Sequence, residues 1–268
     1  MVISVVNNKG GTGKTTTSVN LAAALANTGY RVLLVDLDPQ ASASLSLGIE
    51  RGDLSPSAAD VLLRKTSIKS IIRPCSIQRL HLLTGDIKLA STDLNLATVP
   101  GRECRLSESL NVVRDDYDFI LCDCPPSMSM LPVNALMAAD GYIVPVAPEY
   151  LALEGLVSFM TVIGKLQQGM GISPKLVGIV FTMVERVLGT TRRTMRNIIR
   201  LVRENYGENV FETEIRRDSK LQESPSFGRS IFDFAPRCHA AKAYSMLARE
   251  VIDRCGMDGK KHRSNSKT

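Results

Sequence analysis

Residues Asn8-Lys9-Gly10-Gly11-Thr12-Gly13-Lys14-Thr15-Thr16 put three glycines, two lysines and three hydroxyls into nine positions. Glycines let backbone N–H groups converge on phosphate oxygens without Cβ clashes. The loop follows the apolar run Val2–Val6 and precedes a stretch of helical composition that closes near Gly29. Strand, glycine-rich loop and helix form the context of a phosphate-binding loop, with the helix dipole favouring the anion. In that reading Gly10, Gly11, Thr12, Gly13 and Thr16 line the phosphates. Lys14 reaches the β/γ-phosphates, and the Thr15 hydroxyl ligates Mg²⁺. Lys9 is a second cation beside the phosphates. It neutralises its own nucleotide, or it crosses a dimer interface to the partner's.

Two acidic strand ends complete the chemistry. Val32–Leu37 leads into Asp36-Leu37-Asp38-Pro39-Gln40, with two carboxylates two residues apart. Asp38 is assigned to the attacking water and Asp36 to a supporting role on the Mg²⁺ side. The alternative is that both acids cap the next helix. Phe119–Cys122 ends in Asp123-Cys124-Pro125-Pro126, an apolar strand closing on an acid that would hold a Mg²⁺ water. The two prolines stop the strand and stiffen the loop that follows.

The elements that must position these groups are legible as apolar, β-rich runs at 2–6, 32–37, 80–83, 119–122, 142–146, 177–181 and 210–215. Helix-like segments lie between most of them. That alternation predicts an α/β fold, a mostly parallel twisted sheet flanked by helices on both faces. Strands that are apolar throughout fit a sheet buried on both sides. Acids at strand ends then fall at the carboxyl edge of the sheet, where ligands bind in such folds. One domain is expected over residues 1–255. Residues 256–268 have the composition of a mobile polar and basic tail.

The 268 residues carry a net charge of +6, which permits a polyanionic partner without requiring one. No apolar run reaches the length of a membrane span, and no leader precedes the first strand, so a cytoplasmic protein is expected. The six cysteines form no C-x-x-C pair and are read as reduced, with Cys122 and Cys124 as small buried hydrophobes.

A second charged feature lies at 191–206. At about 100° per residue, Arg192, Arg193, Arg196, Arg200 and Arg203 share one sector of a helix. Met195, Ile198, Ile199, Leu201, Val202 and Tyr206 fill the other side. An outward arginine stripe without interleaved aromatics fits contact with nucleic-acid backbone, and so binding without base preference. The competing reading is a solvated face paired with Glu204 and Glu208.

Lys-Gly-Gly-x-Gly-Lys-Thr is the deviant Walker A form of the loop. With Asp36–Gln40, Asp123–Ser127, Asn134-Ala135-Leu136, Glu149–Gly155 and Glu223–Gly228, the chain resembles a ParA/Soj-type partition ATPase of the MinD/ParA P-loop family. The resemblance runs from Val2 to about Ile252. It implies ATP and Mg²⁺ as cofactors and a homodimer that forms on ATP, with Lys9 reaching the partner's phosphates and Asp38 needed for hydrolysis. Glu149 matches a position that touches nucleotide across the interface, and Lys220 a basic position for DNA. It also implies non-specific DNA binding, a nucleoid-associated location, and release by a ParB-like or other cargo adaptor with a basic activating tail.

Two departures bear on this resemblance. Relatives often read Ile-Pro-Arg-Asn where this chain reads Ile215-Arg216-Arg217-Asp218, which bears on nucleotide contacts at Arg217 and Asp218. The operator-binding extension of longer relatives is not expected here. A MinD-like membrane-associated ATPase is the alternative, but it would end in an amphipathic helix rich in bulky apolar residues and lysines. The stretch after Lys242–Cys255 is polar, so no membrane partner is expected. A metabolic P-loop synthetase is a third class, disfavoured by the match at 149–155 and 223–228.

Overall fold

Continuous apolar strands have to be covered on both faces, and that requirement organises the chain. The computed structural model describes residues 1–185 and 190–258, without the side chains of residues 93 and 190–192. Its strands are β1 (Val2–Val5), β2 (Val32–Asp36), β3 (Arg73–Pro74), β4 (Leu80–Leu83), β5 (Phe119–Asp123), β6 (Gly141–Val146), β7 (Lys175–Val184) and β8 (Val210–Arg216). They form one sheet in the order β3-β4-β2-β5-β1-β6-β7-β8. Every pairing is parallel except β3 with β4. β3, an antiparallel edge of two residues, is too short to show in the apolar pattern.

The helices are α1 (Lys14–Asn27), α2 (Ser42–Ser46), α3 (Ala58–Leu62), α4 (Leu89–Leu96), α5 (Arg105–Asn111), α6 (Met130–Ala138), α7 (Ala152–Met170), α8 (Thr190–Tyr206), α9 (Ser219–Glu223), α10 (Ile231–Phe234) and α11 (His239–Arg254). α1 and α11 cover one face, packing Leu21, Leu25, Tyr244 and Leu247 against Leu34, Phe119 and Val180. α3, α5, α6, α7 and α8 cover the other, around Leu33, Ile120, Val144 and Phe181. Both clusters are fully apolar, as a sheet buried on two sides demands.

β1 lies between β5 and β6, so the chain turns to opposite sides of β1 for its two halves. The crevice at this switch point, beyond the carboxyl ends of the strands, is where ligands bind in open α/β sheets. The loop at 8–13 emerges there.

Two expectations are corrected. The tail does not begin at Gly256: Met257 is only 5% exposed, and its carbonyl accepts the Tyr30 hydroxyl at 3.1 Å. The ordered domain therefore extends past 255, because an apolar side chain within the polar tail finds the α1 side of the core. Residues 259–268 lie outside the described residues. On α8, Ile198 and Val202 are buried as expected, whereas Leu201 is exposed.

Candidate functional site

The loop after β1 is shaped by glycine. Gly11 and Gly13 take φ of 71° and 78°, the left-handed region that other residues enter at a cost. Gly13 is the N-cap of α1 and offers no side-chain hydrogen bond to the first turn. The first-turn N–H groups of α1 are therefore available to an anion. Two side chains anchor the loop to the sheet. Asn7 donates to the Pro145 carbonyl at 2.8 Å and accepts the Lys9 amide at 3.0 Å. Thr182, on β7, donates to the Thr12 carbonyl at 2.8 Å.

Lys14 is buried and donates to the Lys9 carbonyl across the loop at 3.0 Å. Burial lowers its pKa, opposed by the charges of Asp123, Cys124 and Asp38. Anionic phosphate would reverse that balance by supplying the missing negative charge. Lys9 points elsewhere. Its ammonium lies 2.6 Å from Glu149 Oε2, with the two side chains 44% and 62% exposed.

The two acidic strand ends meet directly, since Asp36 and Asp123 are opposite each other in the β2–β5 register. Both are fully buried. Asp123 accepts the Ser18 hydroxyl at Oδ1, 2.8 Å away, while its Oδ2 is buried without a protein partner. Burial pushes its pKa up, as does repulsion from Asp36, while the neighbouring Thr15 and Ser18 hydroxyls pull it down. An orphaned carboxylate oxygen next to the Thr15 hydroxyl suits a hard cation and its water. The residues therefore fit Mg²⁺: Thr15 would ligate it and Asp123 would hold one of its waters. Bound there, the cation would offset charge on the β- and γ-phosphates.

Asp36 is committed differently. Its Oδ2 accepts both the amide and the hydroxyl of Ser44, at 2.8 and 2.7 Å, and its Oδ1 accepts the Asp38 amide at 3.1 Å. Its short contacts fix α2 and the acidic loop, which gives it a positioning part beside the expected Mg²⁺-side one. The helix-capping alternative thus describes Asp36 in part. Asp38 lies beyond the end of β2, half-buried, with Oδ1 accepting the Gln40 amide at 2.9 Å. Gly85 packs below both: a Cβ there would sit 2.8 Å from the Asp38 carbonyl and 2.9 Å from the Asp36 carboxyl carbon.

Arg217 and Asp218 line a cavity that begins at Gly13 and Thr16. Arg217 pairs with Glu185 at 3.2 Å, and Asp218 caps α9 by accepting the Lys220 amide at 2.9 Å. A neighbouring cavity is lined by Glu149, Tyr150, Met183, Glu185, Met195 and Arg217. Cys122 and Cys124 are buried, with both thiol pKa values raised by burial. Among the described residues no group of three or more His, Cys, Asp or Glu could hold a metal.

The arginine stripe is only partly as expected. Arg193, Arg196 and Arg200 are exposed on α8, with Arg200 3.9 Å from Glu204. Arg203 turns inward and is a correction. It reaches Glu214 at 3.4 Å, Glu212 at 3.5 Å and the Phe211 carbonyl at 3.2 Å, because β8 presents those acceptors beside the last turn of α8. The side chain of Arg192 lies outside the described residues. Lys220 is paired with Glu223 at 2.9 Å and lies over the Phe234 ring.

Sequence reasoning missed Asn7, Ser18, Ser44, Gly85 and Thr182. Only Ser18 carried a signal, one helical turn after Lys14.

A glycine loop between a central parallel strand and a helix N-terminus, with a buried acid on the neighbouring strand, defines a P-loop NTPase. A family model for the AAA domain matches residues 1–176. The chain is 39% identical over 252 residues to the sporulation initiation inhibitor protein Soj of Bacillus subtilis, covering 93% of this chain and 97% of that protein. It is 36% identical over 255 residues to the chromosome partitioning protein ParA of Caulobacter vibrioides, covering 94% of each. Among solved structures it resembles a cobyrinic acid a,c-diamide synthase from Mycobacterium smegmatis, with a TM-score of 0.79, 32% identity, and 92% and 91% of the two chains covered. It also resembles the cell division ATPase MinD of Pyrococcus furiosus, with a TM-score of 0.75, 26% identity, and 94% and 98% covered. The chain belongs to the Soj/ParA family of chromosome-partitioning P-loop ATPases. It is an ATPase whose cofactors are ATP and Mg²⁺.

Proposed function

We propose that this ATPase dimerises on binding ATP, binds DNA without sequence preference as a dimer, and is released when a cargo adaptor stimulates hydrolysis. The cargo is a chromosome, a plasmid or another cellular body. Lys14 and the loop amides hold the phosphates, Thr15 and Asp123 serve Mg²⁺, and Asp38 positions the attacking water. Lys9 reaches the partner's phosphates. The observation that carries the reading is the second lysine at the rim of the loop, exposed and held by Glu149 instead of lying in its own phosphate cradle. A cation so placed can leave for a second nucleotide at small cost, since exposed pairs contribute about 0–1 kcal/mol.

The exposed arginines of α8 supply a phosphate track, doubled in a dimer. The adaptor is ParB-like, with a basic activating tail, and the protein works in the cytoplasm on the nucleoid, without a membrane partner. No helix among the described residues is long and apolar enough to cross a membrane. The test is a mobility shift with random-sequence DNA. ATP with Mg²⁺ is expected to produce the shift, and ADP is not. Binding that is independent of nucleotide would overturn the reading.

A further inference from the structure

The turn between α9 and α10 carries an aromatic ring that the core does not use. Phe227 closes the short helical turn Ser224–Phe227 and is 64% exposed. Its ring packs on Phe234, at the end of α10, with centroids 5.1 Å apart and planes tilted by 31°. The Lys220 ammonium lies 5.7 Å from the Phe234 centroid. The turn is held from behind. Gly228 has φ of 61°, and a Cβ on it would stand 2.6 Å from the Gly48 Cα. Backbone packed that closely beyond the end of α2 gives Phe227 a fixed base. Segment 216–237 holds five cations against three acids. The acids are occupied: Asp218 caps α9, Glu223 pairs with Lys220, and Asp233 accepts the Ser230 hydroxyl at 2.9 Å. Arg217 pairs with Glu185. Arg216, Arg229 and Arg237 are exposed, and their guanidiniums make no hydrogen bond or ion pair to another described residue.

We propose that Phe227, with the cations around it, forms a site for single-stranded DNA in which the ring stacks on an unpaired base. Cations alone hold phosphates and leave the bases untouched. A flat apolar ring open to solvent adds a face for a base, while neighbouring cations take the phosphates on either side. Every base has such a face, so the site tolerates any sequence. Bases in a duplex cover one another's faces, and a ring reaches them only by unstacking a step. The ring therefore favours unpaired strands. A protein laid over Phe227 would take the adjoining arginines out of water without a counter-charge unless it brought acids of its own. A nucleic-acid strand brings one phosphate with every base. The site lies within one protomer and does not rest on the ATP-dependent dimer.

The test exploits the absence of tryptophan from the chain, so that Phe227→Trp places a sole indole at the site. Oligothymidylate of about 16 nucleotides is expected to quench its emission, with ADP as well as with a non-hydrolysable ATP analogue. In anisotropy titrations of the labelled oligonucleotide, Phe227→Ala should weaken binding by about tenfold. Phe227→Leu should lose as much, since it keeps apolar bulk without a planar face. Arg229→Ala should lower the salt slope by about 0.7, and Phe227→Ala should leave that slope unchanged. Thermal melts verify that the variants fold. An indole that oligothymidylate does not quench, or wild-type affinity in both Phe227→Ala and Phe227→Leu, overturns the proposal. An equal loss on duplex DNA overturns the preference for unpaired strands. Self-association that Phe227→Ala abolishes without any oligonucleotide makes the patch an interface between copies, and overturns it too. A duplex shift that ignores ATP defeats the partition reading and leaves these measurements standing, so the two fail separately.

Discussion

Lys9 and Glu149, 140 positions apart in the chain, hold each other at 2.6 Å at the mouth of the phosphate loop. In the proposed ATP dimer each would exchange this pairing for a contact with the second protomer. Such an exposed pair contributes about 0–1 kcal/mol, so its loss should leave the melting temperature nearly unchanged. Lys9→Ala is expected to retain ATP binding through Lys14 and to lose the ATP-dependent dimer. Sedimentation velocity with a non-hydrolysable analogue checks this, and a normal dimer would reduce Lys9 to a solvated lysine.

Hydrolysis should fail separately from binding at the acidic loop. Lys14→Ala removes the cation nearest the phosphates and is expected to abolish nucleotide binding. Asp38→Ala is expected to bind ATP, dimerise and stall. Gly85→Ala tests the same geometry from beneath, since its Cβ would meet Asp38 and Asp36 within 3 Å. Displacing the water-positioning group by roughly 1 Å costs about 100-fold in kcat. Filter binding and phosphate release on the same preparations separate the two steps. Wild-type turnover by Asp38→Ala would remove it from the mechanism.

Asp123 predicts a pH dependence with a definite sign. Burial and the Asp36 charge push its pKa up to about 8. The folded, nucleotide-free protein then holds a proton that the unfolded chain releases near pH 4. Its contribution to stability is therefore greatest in acid and declines as pH rises from about 4 to 8. Mg²⁺ needs the carboxylate, so Mg²⁺-dependent ADP binding should release a proton and tighten as pH rises towards 8. Asp123→Asn is expected to flatten the pH dependence of stability and to weaken the Mg²⁺ requirement. Calorimetry in buffers of different ionisation enthalpy reads the proton release.

The chemistry was legible wherever function imposes residue types in sequence. The glycine loop, Asp38 and Asp123 all sit at the ends of apolar runs, and those runs became β1, β2 and β5. Partners that act through space were not legible. Thr182 reaches the loop across 170 positions and Ser44 ties down Asp36, yet each is one small polar residue in an unremarked segment. Gly85 is defined only by what lies above it. Arg203 failed for a related reason. Helical spacing placed it well inside the stripe, yet the nearness of Glu212 and Glu214 on β8 decided its direction.

That correction sharpens the DNA prediction. Arg193, Arg196 and Arg200 are exposed, whereas Arg203 spends its charge on β8. Arg196→Glu with Arg200→Glu should abolish DNA binding equally on all sequences and leave ATP dimerisation intact. Each phosphate contact contributes about 0.9 to the slope of log affinity against log salt. A contact made by both protomers thus counts for about 2, so Arg196→Ala should lower the slope by about 2. Arg203→Ala should leave the slope unchanged and lower the melting temperature, because Glu214 and the Phe211 carbonyl lose their donor. Titrations of random-sequence DNA between about 50 and 200 mM salt measure both variants. A slope lowered by Arg203→Ala but not by Arg196→Ala would place the DNA face on the β8 side of α8. Binding that survives the double charge reversal would remove α8 from the interface.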